Sequence, residues 1–257
     1  MSPGADPAGD RPAGGRQRAD RPTLALVVAG AGHGTRLDLG KPKQYVHLLG
    51  IPMLQRTLDA LGNCPAVDAL VVVVNEPDIE YCRVELVEER IPKVLAVVSG
   101  GAERALSVRN GLAALAQAGT WDLVGTHDGA RPLVTCAEVA GVVEALAADP
   151  GLAGAVLGIP TTDTVKMVDE HGVVTATLDR RRVWRAQTPQ IFRWDALFEA
   201  YAETPEDELI RATDDASLVE SRGGRVKMVK GSAENFKVTD RVDLKHAEQI
   251  LAERRRG

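Results

Sequence analysis

The stretch TLALVVA (Thr23–Ala29) runs straight into GAGHGTR (Gly30–Arg36). A nearly continuous apolar, β-branched run reads as a strand covered on both faces, the mark of a parallel sheet. Glycines at 30, 32 and 34 allow positive φ and let backbone N–H groups approach an anion. The same kind of run recurs as ALVVVV (Ala69–Val74), KVLAVV (Lys93–Val98), DLVGTH (Asp122–His127) and GAVLGI (Gly154–Ile159). Amphipathic stretches separate these runs: Met53–Asn63, Asp78–Arg90, Glu103–Ala118 and Cys136–Asp149. The alternation predicts an α/β protein, a mostly parallel open sheet with helices on both faces and right-handed crossovers. Such sheets bind ligands beyond the carboxyl ends of their strands, so function belongs in the segments just after each run.

The regularity breaks at Pro160. Asp163–Asp179 reads as two short strands around the turn Asp169–Gly172, a protruding β-hairpin arm spanning about 161–183. An isolated hairpin is marginal in water, and a second subunit would give it something to pack on. Arg182–Phe192 carries no assignment. Trp194–Ala202 and Asp214–Ser221 then read as helices, Arg225–Lys230 as a strand and Arg241–Arg255 as a closing helix. Residues 1–22 hold no large apolar residue beyond Met1 and cannot offset the entropy of ordering. They are expected to be a disordered tail, leaving 23–257 as a single domain.

The 257 residues carry 31 Lys and Arg against 36 Asp and Glu, a net charge of -5. That balance argues against a nucleic-acid or membrane-surface binder, which needs a basic face. A phosphate-handling protein of this charge must gather its cations in a pocket. Three widely spaced cysteines (Cys64, Cys82, Cys136) form no zinc-ligand pattern and read as reduced, structural thiols. The amino end lacks a secretory apolar core, and no run reaches the roughly 20 residues of a membrane span. A cytoplasmic protein is expected.

Two familiar meanings of the glycine loop fail. The alternating Gly30, Gly32 and Gly34 with Thr35 break the dinucleotide pattern, and there is no subsequent Gly-Lys-Ser/Thr as a Walker loop requires. Instead the loop leads to Arg36, whose fork suits phosphate oxygens, and on to Lys43 in the segment KPKQY (Lys41–Tyr45), stiffened by Pro42. Arg36 and Lys43 therefore flank one phosphate-sized loop.

With AGAGHGTRL and KPKQY, four further segments recur in order: GGAERALSV (Gly100–Val108), HDGARP (His127–Pro132), DTVK (Asp163–Lys166) with LDR (Leu178–Arg180), and TDDAS (Thr213–Ser217) with NFKVT (Asn235–Thr239). Together they resemble the 2-C-methyl-D-erythritol 4-phosphate cytidylyltransferase family, over about Thr23–Glu253. The resemblance implies a Rossmann-like nucleotidyltransferase fold, a homodimer joined by the arm and a divalent cation such as Mg²⁺. It implies transfer of CMP from CTP to the sugar-alcohol phosphate with release of pyrophosphate, in the non-mevalonate route to isoprenoids. It places Gly32, Gly34 and Arg36 on the triphosphate with Ala31 also at CTP, Lys43 on the phosphate being attacked, and Gly101 and Ser107 on the cytidine. Asp128, Arg131, Thr213 and Lys237 would line the sugar-phosphate pocket, Asp128 and Lys237 also touching CTP. Thr164 and Arg180 would reach into the partner's pocket. The metal's ligands stay open, with Asp128 through a bound water as a candidate.

The residues give this chemistry its own logic. The attacking group is already an anion, so it needs no general base; the barrier is repulsion between anions and charge at the α-phosphorus, which Arg36, Lys43 and Mg²⁺ offset. His127 beside Asp128 then reads as a packed or hydrogen-bonded histidine. Asp163 and Asp179 read as carboxylates that satisfy local backbone. Lys237 reads as a strand residue turned away from Phe236 and Val238, either to solvent or to the active-site cleft, and spacing alone does not decide between them.

The chain departs from the family pattern at Ala29–Gly32, at Gly129 where Ala is usual, and at Ala102 and Leu106 where acidic residues often stand. The Gly129 change reads as added flexibility beside Asp128. Three rivals compete. A ribitol-5-phosphate cytidylyltransferase would share the loops, an NAD(P)-dependent oxidoreductase would use Glu76 for a ribose, and a non-catalytic assembly protein would need none of the cations. The sequence ends at Gly257, so a single activity is expected, without a fused cyclodiphosphate synthase.

Overall fold

The computed structural model describes residues 21–32 and 42–256. Seven strands form one sheet: β1 (Leu24–Ala29), β4 (Ala69–Val74), β5 (Val94–Ser99), β6 (Leu123–Asp128), β7 (Gly154–Pro160), β10 (Trp184–Arg193) and β11 (Val226–Lys230). Their order across the sheet is β11-β7-β10-β6-β1-β4-β5. All pairings are parallel except those of β10, which runs antiparallel between β6 and β7.

Alternation along β1 builds the layers. Leu24, Leu26 and Val28 face one side, packed with Leu54, Leu58 and Leu61 of α1 (Met53–Gly62) and Val139 and Val142 of α4 (Cys136–Ala148). Ala25 and Val27 face the other, against Val108, Leu112 and Leu115 of α3 (Arg104–Ala118) and Leu197 and Tyr201 of α5 (Trp194–Glu203). Helices therefore cover both faces, as expected for strands buried on both sides. A smaller cluster joins β2 (His47–Leu48), which pairs with β3 (Ile51–Pro52), to α8 (Arg241–Arg254) through Leu48, Met53, Leu133, Val238 and Ile250.

The arm is present as β8 (Lys166–Val168) and β9 (Val174–Thr177), a separate antiparallel pair. Asp169 closes its turn by accepting the N–H groups of His171 and Val173, and Gly172 takes the positive φ of 79°. Asp179 likewise serves local structure, accepting from Arg181 N–H and its guanidinium.

Several expectations need correcting. The unassigned stretch Arg182–Phe192 holds most of β10, a central strand. The helix expected at Asp78–Arg90 shrinks to α2 (Ile79–Tyr81) with a wider, π-helical Cys82–Val87 after it. That wider turn buries Cys82, Leu86 and Val87 together. A short helix α6 (Glu206–Arg211) precedes α7 (Asp215–Ser221), whose N-cap is Asp214. No strand forms at 235–239, so Lys237 lies on irregular backbone.

Cys64 and Cys136 are joined as a disulfide, contrary to the expectation of reduced thiols, while Cys82 is free and buried. Of the expected tail, residues 1–20 lie outside the described residues. Arg21 is anchored, with both terminal nitrogens 2.9 Å from Asp68 oxygens.

Candidate active site

The parallel strands β1, β4, β5 and β6 all end on one side of the sheet. Asp128, the last residue of β6, pairs in register with Ala29, the last residue of β1. The glycine loop therefore starts beside the carboxylate. Gly32, at φ 145°, directs its N–H toward Asn75 Oδ1 at 3.3 Å. Beyond β5, Gly100 packs directly on Ala31. The Gly101 N–H donates to the Ser107 hydroxyl at 3.1 Å, and that hydroxyl lies 3.1 Å from the Glu103 carbonyl. Ser107 thus shapes the Gly100–Gly101 turn that faces the first glycine loop.

Beside the first glycine loop and Asp128 lies one cleft in two halves. Ala31, Lys43, Gln44 and Gly129 line the first half, and Arg131, Thr188, Thr213 and Asp214 the second. Arg104, Asp128 and Lys237 line both. The acidic chain does gather cations in a pocket.

Asp128 holds the centre. Arg131 Nε lies 3.1 Å, Lys237 Nζ 3.2 Å and Arg104 Nε 3.7 Å from its oxygens. Burial alone would raise its pKa, but Lys237, Arg104 and Arg131 outweigh burial and hold the carboxyl well below its usual range. Its side chain caps no turn; it accepts from cations.

His127 is fully buried, and desolvation pushes its pKa down to about 4. Its tautomer is set by its neighbours. Nε2 lies 3.2 Å from the Arg131 carbonyl, an obligate acceptor, so Nε2 carries the proton. Nδ1 then accepts from Thr188 Oγ1 at 3.1 Å, while that hydroxyl accepts the Asp128 backbone N–H at 3.0 Å. A neutral histidine with both nitrogens engaged inside the protein is a packing element, in line with the reading from the residues.

Not every expected residue gathers here. Gly34 and Arg36 lie outside the described residues. Thr164 and Arg180 stand exposed at the arm, with Arg180 Nη1 donating to the Thr162 carbonyl at 3.1 Å. At Gly129 a Cβ would meet Leu54 Cδ1 at 2.9 Å and the Ala29 carbonyl at 3.1 Å, so this glycine answers to room rather than to flexibility.

Sequence reasoning missed Arg104, Asp215 and Thr188. A signal for Arg104 existed: a cation in the first helical turn opposes the helix dipole and calls for an anionic partner. Among the described residues, no group of three or more His, Cys, Asp or Glu is placed to hold a metal. Asp128 faces three cations, and Asp214 already accepts from Gln190 and Ser217. That donor set does not fit a resident divalent ion.

A cation-lined cleft beyond the strand ends of such a sheet is the frame of a nucleotidyltransferase, and known structures and sequences agree. The 4-diphosphocytidyl-2C-methyl-D-erythritol synthase of Anaerococcus prevotii superposes at a TM-score of 0.74 with 26% identity, covering 90% of this chain and 96% of that one. The 2-C-methyl-D-erythritol 4-phosphate cytidylyltransferase of Francisella tularensis gives 0.74 and 29%, over 88% of this chain and 99% of that one. A relative of the same name from Pelotomaculum thermopropionicum is 43% identical, over 90% of this chain and 95% of its own length. Residues 24–253 match the 2-C-methyl-D-erythritol 4-phosphate cytidylyltransferase family model. The chain belongs to that family.

Proposed function

We propose that this protein transfers the cytidylyl group of CTP to 2-C-methyl-D-erythritol 4-phosphate. An oxygen of the acceptor phosphate attacks the α-phosphorus of CTP, a new P–O bond forms, and the bond to the β-phosphate breaks. The products are 4-diphosphocytidyl-2-C-methyl-D-erythritol and pyrophosphate. No proton need move, in keeping with a His127 whose two ring nitrogens are both engaged inside the protein.

The observation that carries the reading is the cluster of Arg104, Arg131 and Lys237 about Asp128, where the two half-clefts meet. Two anions brought there exchange mutual repulsion for fixed cations. Lys43 lines the half that begins at Ala31 of the glycine loop, the half this reading gives to the nucleotide. By resemblance, Arg36 contacts the triphosphate. Magnesium enters as the counter-ion of CTP rather than as a resident metal.

A homodimer is part of the proposal. The arm exposes Met167, Val168, Val173 and Val174, an apolar surface that a second copy would cover, bringing Thr164 and Arg180 toward the neighbouring cleft. No described helix is long and apolar enough to cross a membrane; the phosphorylated substrates of this reading support a cytoplasmic enzyme.

The test is pyrophosphate release from CTP and Mg²⁺ with each acceptor. Methylerythritol phosphate is expected to turn over well ahead of ribitol 5-phosphate; the reverse order would overturn the assignment.

A further inference from the structure

Arg104 opens α3, where its charge meets the positive end of the helix dipole. What holds it there is Asp215, whose side chain is fully buried. Arg104 Nη1 and Nη2 donate to the two Asp215 oxygens at 3.0 and 2.8 Å. The hydroxyls of Tyr201 and Thr126 donate to the same oxygens, one each. The carboxylate thus accepts four hydrogen bonds from α3, α5 and β6 and is itself carried by α7. Burial opposes charge on both partners. Their attraction outweighs it, holding the Arg104 pKa up and the Asp215 pKa down, so both stay ionised.

The geometry leaves a second fork. Asp215 takes the end of the guanidinium, one N–H from each terminal nitrogen. A guanidinium has five N–H donors, and the side edge keeps Nε–H and a parallel outer N–H. Among the described residues these have no hydrogen-bond partner; Nε is 3.7 Å from Asp128, beyond hydrogen-bond range. Arg104 lines both halves of the cleft.

We propose that Arg104 is a further catalytic residue, presenting its side edge to phosphate oxygens where nucleotide and acceptor meet, with Asp215 as its positioning residue. The proposal rests on the transfer reading above. The Arg104–Asp215 pair is nearly neutral at a distance, so its action is local: two aimed N–H groups rather than long-range attraction. Charge alone will not replace it.

The experiment measures steady-state transfer from CTP to methylerythritol phosphate by the full-length protein and by Arg104→Ala, Arg104→Lys and Asp215→Asn, each checked for folding by circular dichroism and melting. Each variant is expected to lose at least about a hundredfold in kcat, the scale of one preorganised donor. Added guanidinium at millimolar concentration is expected to restore activity to Arg104→Ala, a rescue that a merely structural arginine would not show. A folded Arg104→Lys within threefold of the parent, or a folded Arg104→Ala without rescue, overturns the role of Arg104. Should Asp215→Asn fail to fold, Tyr201→Phe replaces it, with a threefold or larger fall in kcat expected; an unchanged kcat removes Asp215 as the clamp. If the parent itself forms no product, the transfer reading fails separately. Calorimetric CTP binding to parent and Arg104→Lys then decides, with a tenfold weaker variant supporting the contact and equal affinity overturning it.

Discussion

A methyl group on Gly100 would lie 2.5 Å from the Cβ of Ala31 and 2.8 Å from the Ser107 hydroxyl. The Ala29–Ala31 turn, which lines the first half of the cleft, and the Gly100–Gly101 turn behind it therefore touch with no room between them. Gly100→Ala must push them apart, and overpacking of this kind costs about 1–3 kcal/mol. We expect a lower melting temperature and at least a tenfold higher KM for CTP. An unaltered KM would show that the spacing of these turns does not set nucleotide affinity.

Lys237→Met removes a cation 3.2 Å from Asp128. The pair is partly open to solvent, where such bridges contribute only about 0–1 kcal/mol to folding. Stability should change little while kcat/KM falls roughly a hundredfold or more, as for loss of a preorganised donor. Kinetics and a thermal melt on one preparation separate the two effects.

His127 gives the fold a pH dependence. Its folded pKa of about 4 lies below the ordinary 6.5, so the unfolded chain takes the proton first as the pH drops. Its contribution is complete above about 6.5 and is lost progressively toward 4. Between pH 7 and pH 5 the parent should lose about 2 kcal/mol from this group. His127→Gln should be less stable at pH 7 yet show a flatter profile by urea unfolding. Parallel curves for the two proteins would refute this assignment.

The Cys64–Cys136 bond closes a span of 72 residues. In the chain-entropy picture such a loop is worth roughly 4 kcal/mol. Urea unfolding with and without a thiol reductant should show a clearly lower midpoint for the reduced form, and identical midpoints would mean that the cross-link does not form in solution.

For the arm, Val168→Asp with Val174→Asp places two charges on the exposed apolar strands. Gel filtration with light scattering should find the parent at twice the chain mass, the variant at one chain mass, and transfer activity reduced with it. A parent that runs as a single chain would remove the dimer from the proposal.

Much of this was legible in the residues, for identifiable reasons. Strands β1, β4 and β6 are buried on both faces, so their apolar runs are nearly unbroken and their ends fall within a residue or two of expectation. Asp128 stood out because it closes such a run. β10 escaped because Pro189 reads as a breaker and because its register with β7 shifts between Ala186 and Gln190. The Arg104–Asp215 clamp joins residues 111 positions apart, and no local periodicity announces a partnership of that kind. Lys237 misled in a simpler way, since alternation about Phe236 and Val238 suggested a strand where the backbone is irregular.

Trp184 begins β10 opposite Pro160, at the root of the arm and on the cleft side of the sheet. The other two of the three tryptophans, Trp121 and Trp194, flank the far ends of β6 and β10. The molecule thus carries a built-in optical reporter. A shift of indole emission with protein concentration would signal arm docking, with no dye attached and no residue replaced.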